Sequence, residues 1–352
     1  MPRFEALTFD DVADVEKELA DAVGAKERLR EALGRVVVGQ DAVLEEVLWA
    51  LVAGGHVLLE GAPGLGKTLI VRTLAACLDL KFSRIQFTPD LMPSDVLGAS
   101  VLVLDASGRS SGRFELHRGP IFGQLVLADE INRAPPKTQS ALLEAMQEHA
   151  VTIAGSRQIL DEPFMVLATE NPIEMEGTYP LPEAQLDRFL VKVVVPTPSE
   201  DDLVRILERT TTLAEHSPEP VLRGADVLAL RALCRKVVVA EPVMRYVARL
   251  VAATDPSHPT APDAVKRAVR YGASVRGAQA VTLTAKAVAL FDGRAHVALA
   301  DIAKVALPSL RHRIIRSFEG EAAGISADAI VASVLAAVPS RPEAVEKAAR
   351  SQ

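Results

Sequence analysis

Gly61-Ala62-Pro63-Gly64-Leu65-Gly66-Lys67-Thr68 is the stretch on which the reading of this chain turns. Ahead of it lies His56-Val57-Leu58-Leu59-Glu60, with the pattern of a short buried strand. Behind it Leu69, Ile70, Leu74 and Leu78 recur at helical spacing. Strand, glycine-rich loop and helix in that order make a G-x-x-x-x-G-K-[ST] match a phosphate-binding loop. Glycine lets backbone N–H groups turn inward with no Cβ in the way, and the new helix points the positive end of its dipole at the same spot. Lys67 is expected to reach the β- and γ-phosphates of a nucleoside triphosphate, and Thr68 to set its hydroxyl on Mg2+.

Further along, the apolar run Leu125-Val126-Leu127-Ala128 ends in Asp129-Glu130. A nucleotide hydrolase needs one carboxylate to hold Mg2+ through its water shell and a second group to orient the attacking water. Asp129 suits the first role and Glu130 the second. Asn171 ends the next apolar strand, Phe164–Thr169, where an amide would sit between the two sites and help position the water. Arg188, just before the strand-like Val191–Val195, is of the type that stabilises charge developing on a transferring phosphate.

Outward from this core, residues 10–33 read as one or two amphipathic helices and Asp41–Ala53 as another. Lys81–Thr88 reads as a strand. Ala99–Leu104 and Arg113–His117 flank a polar, glycine-containing tip at 105–112, the pattern of a hairpin. Val151–Ile153 and Arg157–Leu160 form a second one, after a helix over Thr138–Glu148. From Ser199 onward strand signals nearly vanish and Ala, Leu, Val and Arg recur at helical period. The expected organisation is an N-terminal helical segment over 1–34, an α/β nucleotide-binding core over 35–198 with a parallel sheet covered on both faces, and an all-α lid over 199–352.

A length of 352 residues accommodates these parts, and a net charge of −7 favours no polyanionic partner. Cys77 and Cys234 are too few and too distant for a disulfide framework. The N-terminal residues lack a basic segment running into an apolar one, and no run nears the ~18 apolar residues of a membrane span. A cytoplasmic location is therefore expected.

The phosphate loop, the run Leu125–Glu130, Glu130-Ile131-Asn132-Arg133-Ala134-Pro135-Pro136-Lys137-Thr138-Gln139, Ala141–Glu148 and Glu176–Phe189 together resemble the MoxR family of AAA+ ATPases, from about Val36 to Val195. The resemblance implies a P-loop AAA+ core with β-hairpin inserts and a helical lid, ATP hydrolysis, and ATP with Mg2+ as ligands. It implies a nucleotide-binding set of Val38, Gly39 and Gln40 on the adenine side, with Gly61, Ala62, Pro63, Gly64, Leu65, Gly66, Lys67, Thr68 and Leu69 around the phosphates. It carries Asn171 over as sensor 1, Arg188 as the arginine finger reaching a neighbouring subunit's site, and Arg276 as sensor 2 from the lid. Arg133 resembles a residue facing the same interface. Two departures stand out: Glu170 where members often carry glutamine, and Val275 and Gly277 around Arg276 where proline and alanine are common.

By the same resemblance the chain forms a homo-oligomeric ring, hexameric in expectation, that remodels, assembles or matures a client protein. Proteins with von Willebrand factor A domains, or metalloenzymes awaiting their metal, are the expected clients. The hairpin at 99–117 would be the insert that moves them. An alternative keeps the motor and changes the client to DNA or a chelatase-type complex; Arg109, Arg113 and Arg118 give it modest support, with no aromatic residues interleaved to stack on bases. A nucleotide-sensing scaffold without turnover is a third reading, against which Glu130 argues. The start of a D-x-S-x-S metal site at Asp105-Ala106-Ser107 is broken by Arg109 in the fifth position. The cluster Arg311-His312-Arg313-Ile314-Ile315-Arg316 reads as a helix face at a subunit interface in preference to a nucleic-acid contact.

Overall fold

The computed structural model describes residues 12–104, 110–171, 178–211 and 218–340. The chain opens with α1 (Val12–Gly34), α2 (Asp41–Ala53), β1 (Val57–Glu60) and α3 (Lys67–Cys77). Next come β2 (Phe82–Gln86), α4 (Pro93–Leu97) and the hairpin β3 (Gly98–Leu104) and β4 (Ser110–Arg118). They are followed by β5 (Leu125–Asp129), α5 (Pro136–Glu148), the hairpin β6 (Ala150–Ile153) and β7 (Ser156–Ile159), β8 (Met165–Glu170), α6 (Glu183–Leu186) and β9 (Val191–Val194). The remainder is α7 (Glu200–Thr210), α8 (Gly224–Lys236), α9 (Glu241–Ala252), α10 (Asp263–Ala268), β10 (Val269–Tyr271), α11 (Val275–Phe291), α12 (Leu299–Leu310), β11 (Ile315–Arg316), α13 (Phe318–Ala322) and α14 (Ala327–Ala337).

Five strands make one sheet in the order β2-β5-β8-β1-β9, and every pairing in it is parallel. Side chains on successive strand positions point to opposite faces, so apolar runs buried on both sides supply two cores. Val57, Leu59, Leu125, Leu127, Leu167 and Val193 face α1, α2, α3 and the C-terminal helices. Leu58, Val126, Ala128, Val166 and Ala168 face α5 and the β6–β7 hairpin. Helices thus cover both faces, as the alternation of strand and helix in the sequence implies. Among the described residues no helix is long and apolar enough to cross a membrane.

Several details differ from the sequence-based expectation. The N-terminal helical pattern, read as one or two helices, is one continuous helix, α1, which lies against α3 and α11. The helical C-terminal part contains an antiparallel ribbon, with Tyr271 opposite Ile315 and Val269 opposite Arg316. The tip of the β3–β4 hairpin at residues 105–109, with Arg109 and the D-x-S resemblance, lies outside the described residues.

The cluster Arg311–Arg316 is not an outer face. His312 and Arg313 are buried, because the carbonyls leading into β9 need donors that no sheet partner supplies. Arg313 donates to Asp187 Oδ1 at 2.7 Å, Phe189 O at 2.6 Å and Leu190 O at 3.1 Å. Arg311 pairs with Asp328 at 3.0 Å and donates to Lys192 O at 3.2 Å. The cluster clasps the C-terminal helices to the sheet edge.

Glu46 on α2 faces this clasp, near Arg311, Asp328 and Glu45, and burial pushes its carboxyl up to about 7 against the pull of Arg311. A carboxyl whose folded pKa lies above its unfolded value binds more protons when folded, so stability falls as pH rises from about 4.5 towards 7. Glu46→Gln should remove roughly 1–3 kcal/mol of that loss, raising Tm at pH 8 while leaving it unchanged at pH 4.5. Thermal unfolding of both proteins across that range checks it.

A candidate nucleotide site at the carboxyl rim of the sheet

A parallel sheet brings the carboxyl ends of all its strands to one rim, and the turns after β1, β5 and β8 meet there. Beyond Glu60 the chain turns through Gly64 and Gly66, at φ +81° and +78°, a region glycine enters without steric cost. A Cβ on either would meet nothing within 4 Å, so this loop presents its backbone to open space. Lys67 opens α3, and its ammonium donates to the carbonyls of Gly61 and, at 3.3 Å, Ala62. Desolvation draws the Lys67 pKa below its ordinary value, opposed by Asp129, Glu130 and Glu60.

Asp129 ends β5 and is nearly buried. Its Oδ1 accepts from Thr169 Oγ1 at 2.7 Å; its Oδ2 accepts from Arg84 Nη2 at 2.7 Å and Nε at 3.1 Å. Glu130 follows at φ +57°, a left-handed conformation unusual for a non-glycine residue. The same Thr169 hydroxyl accepts the Glu130 amide at 2.8 Å, which holds that turn. Strain of this kind, about 1–3 kcal/mol per residue, persists where surrounding structure over-determines it. The Glu130 carboxylate accepts from Gln86 Nε2 at 2.9 Å and lies 3.3 Å from Arg133 Nε. Asn171, buried, stands one residue past β8, between the loop after β1 and the acidic pair after β5.

The loop 61–66 also borders a cavity of about 300 Å³. Val36–Val38 and Gln40 form one wall, Leu65 and Leu69 another, and α7 closes it with Leu203 and Ile206. Gln40 donates to Pro196 O at 3.4 Å while its buried Oε1 has no partner among the described residues. That orphaned acceptor, in a slot whose other lining is apolar apart from Arg209 and Thr210, suits the exocyclic amine of a purine. Between the wall residues Val38 and Gln40, Gly39 sits at φ +70°, where a Cβ would stand 2.4 Å from the Asp202 carboxyl carbon. The α7 contribution is missing from the sequence reading. Its apolar stripe and the capping box from Ser199 to Asp202 were visible, but nothing in that spacing says which surface it covers.

Arg188 and Arg276 stand elsewhere. Both line a cavity of about 230 Å³ at the amino rim of the sheet, beside Gly55, His56 and Asp187. Ser274, the cap of α11, donates to Asp187 Oδ2 at 2.9 Å, which sets Arg276 next to Arg188. The length of β1, about 13 Å at 3.3 Å per residue, separates this rim from the phosphate loop. Arg188 Nε is buried with no partner among the described residues.

The fold and this arrangement are those of an AAA+ ATPase. Residues 56–191 match the model of the ATPase family associated with various cellular activities, and residues 261–334 match the AAA lid domain. A solved structure from Cytophaga hutchinsonii, described as a candidate ATPase, superposes with a TM-score of 0.86 at 41% identity over 93% of this chain and 98% of that one. The Mycobacterium tuberculosis protein named Chaperone MoxR1 is 41% identical over 91% of this chain and 83% of its own length. YeaC of Bacillus subtilis, uncharacterised, is 44% identical over 88% and 92%, and the Paracoccus denitrificans protein MoxR 32% over 81% and 87%. The chain belongs to the MoxR family of AAA+ ATPases, and it hydrolyses ATP.

Gly39→Ala tests whether this slot takes the base of the nucleotide. Left-handed backbone costs about 1–2 kcal/mol for a residue with a Cβ, and the new methyl crowds Asp202. ATP affinity measured by titration calorimetry should fall about tenfold with the far-ultraviolet circular dichroism unchanged; unaltered affinity would mean the base sits elsewhere.

Proposed function

We propose that this chain works as a ring of identical protomers, hexameric as in related motors, with each ATP site completed by the neighbouring protomer. One observation carries this reading. The arginines suited to a transferring phosphate, Arg188 and Arg276, line the amino rim of the sheet, while their own phosphate loop lies at its carboxyl rim, the length of β1 (about 13 Å) away. An arginine in that position serves a phosphate only on another molecule. Arg276 on this reading joins Arg188 in reaching the neighbour's nucleotide instead of closing over its own, which its lid origin alone does not suggest.

In each site the backbone N–H groups of Gly64, Leu65 and Gly66, with Lys67, hold the phosphates, and the slot between Val38 and α7 takes the adenine. Thr68 and Asp129 are the groups fit to hold Mg2+, a hydroxyl and a carboxylate at the mouth of the loop, and the ion would supply charge neutralisation on the β- and γ-phosphates. Glu130 orients a water whose oxygen bonds to the γ-phosphorus as the bond to the β–γ bridging oxygen breaks, and it takes up the released proton. Asn171 fixes that water from the adjacent strand. Arg188 and Arg276 of the neighbour meet the charge that builds on the γ-phosphoryl oxygens.

Nucleotide turnover would then alternate tight and loose protomer contacts and move the β3–β4 hairpin, whose exposed Leu102 and Phe114 face each other across the strands. The output is remodelling or maturation of a client protein, and the relative named Chaperone MoxR1 supports that class of work. A von Willebrand factor A domain protein in the cytoplasm is the first client to seek.

Glu130→Gln should retain ATP binding and lose 10²–10⁴-fold in steady-state turnover, about the contribution of a positioned base; undiminished turnover would refute the role. Arg188→Ala and Lys67→Ala proteins, each nearly inactive alone, should regain activity when mixed. A mixed assembly that stays inactive would show that Arg188 does not act across the interface.

A further inference from the structure

The ends of β1 and β8 meet where the phosphate loop begins. Glu60 closes β1, Glu170 closes β8, and the two are direct partners in the parallel register. Leu58 and Ala168, two positions earlier, face one core, so both carboxyls stand on that same face, on strands about 4.8 Å apart. The Glu170 carbonyl accepts the Gly61 amide at 3.3 Å, and Asn171 follows directly. We propose that Glu170 is a positioning residue that works as a neutral acid: its hydroxyl donates to the Glu60 carboxylate and clamps Asn171 to the root of the phosphate loop, and loss of the proton opens the clamp.

One cation serves both carboxyls. Lys192 of β9, the register partner of Leu58, lies on the same face, and its ammonium reaches Glu60 Oε2 at 2.5 Å. The Lys192 and Glu60 side chains are 19% and 27% exposed, so this pair is largely out of water. Two anions beside a single ammonium leave one negative charge uncompensated, which burial makes costly. A proton on Glu170 removes that charge. Lys192 and Glu60 then form the ion pair, and the neutral carboxyl donates to the second Glu60 oxygen.

Burial chiefly raises the Glu170 pKa; Lys192 opposes that rise and Glu60 adds to it. Among the described residues these are the charged groups that act on Glu170. Lys67, which opens α3, acts on Glu60. Asp129, one position past Ala128, points to the opposite face, and the Glu130 carboxylate is held by Gln86 and Arg133. With the proton gone, like charges face each other from adjacent strands where the loop leaves β1. The repulsion bears on the Gly61–Glu170 bond and on the placement of Asn171. Glutamine, common in the family at this position, has the shape and donor of the neutral acid but cannot ionise. The departure gives this chain a pH response that an amide lacks.

This rests on the reading of Asn171 as the residue that fixes the attacking water. The test is steady-state turnover of the assembled full-length protein at saturating ATP and magnesium, across about pH 5–9. The wild-type rate should fall about tenfold as pH rises through the Glu170 pKa, the scale of one hydrogen bond to a charged group, and Glu170→Gln should lose that fall. Limbs from Glu130 or Lys67 are common to both proteins. Lys192→Met removes the cation that favours ionisation, so it should move the Glu170 limb to higher pH; thermal unfolding verifies that both variants fold. Glu170→Gln with the same fall, Lys192→Met with it unmoved, or a wild type without it overturns the role of Glu170 alone. Undiminished turnover in Asn171→Ala overturns the reading of Asn171, and the proposal with it.

Discussion

Strand polarity is the constraint on which the molecule depends. Because β2, β5, β8, β1 and β9 all run the same way, whatever follows a strand lands on one rim and whatever precedes it lands on the other. The phosphate loop follows β1, the acidic pair follows β5, and Asn171 follows β8, so three separate segments converge without any direct link in sequence. Arg188 precedes β9 and is carried to the opposite rim by the same rule. A single antiparallel strand in this sheet would move one of these groups across the domain.

The two rims are held in relation by the C-terminal helices. Arg313 reaches from the end of the α12 segment to Asp187, Phe189 and Leu190, and Ser274 caps α11 while bonding Asp187. Asp187 is thus the point where helical lid and sheet edge share a charge, immediately beside Arg188. On the carboxyl rim Thr169 has the matching place, accepting the Glu130 amide and donating to Asp129. Each rim has a polar residue that fixes the directions of its working side chains, and both are supplied by segments distant in sequence.

Much of this was legible beforehand for a physical reason. Strands buried on both faces must be apolar throughout, so Val57–Leu59 and Leu125–Ala128 announce themselves, and the residues at their ends are then known to share a rim. The phosphate loop is read from glycines that its backbone geometry requires. Contacts made by long side chains across elements left no such periodic trace. Arg84 and Gln86 look like ordinary exposed residues of an edge strand, and α7 like any amphipathic helix, until Asp129, Glu130 and the cavity beside Val38 are set beside them. The Arg311–Arg316 run misleads for the same reason: Arg313 looks solvated in sequence, while Asp187, which neutralises it, and the carbonyls of Phe189 and Leu190 that accept from it lie over a hundred positions away. Arg276 is read as a lid residue correctly, but which nucleotide it faces depends on how the lid is fastened.

On the proposed function a protomer by itself holds only part of a working site, so the rate per protomer must depend on concentration. With saturating ATP and magnesium, and light scattering to follow assembly, the rate per protomer is predicted to climb as monomers associate and level off once rings are complete. A rate per protomer that stays constant down to dilutions where scattering reports monomers would contradict it.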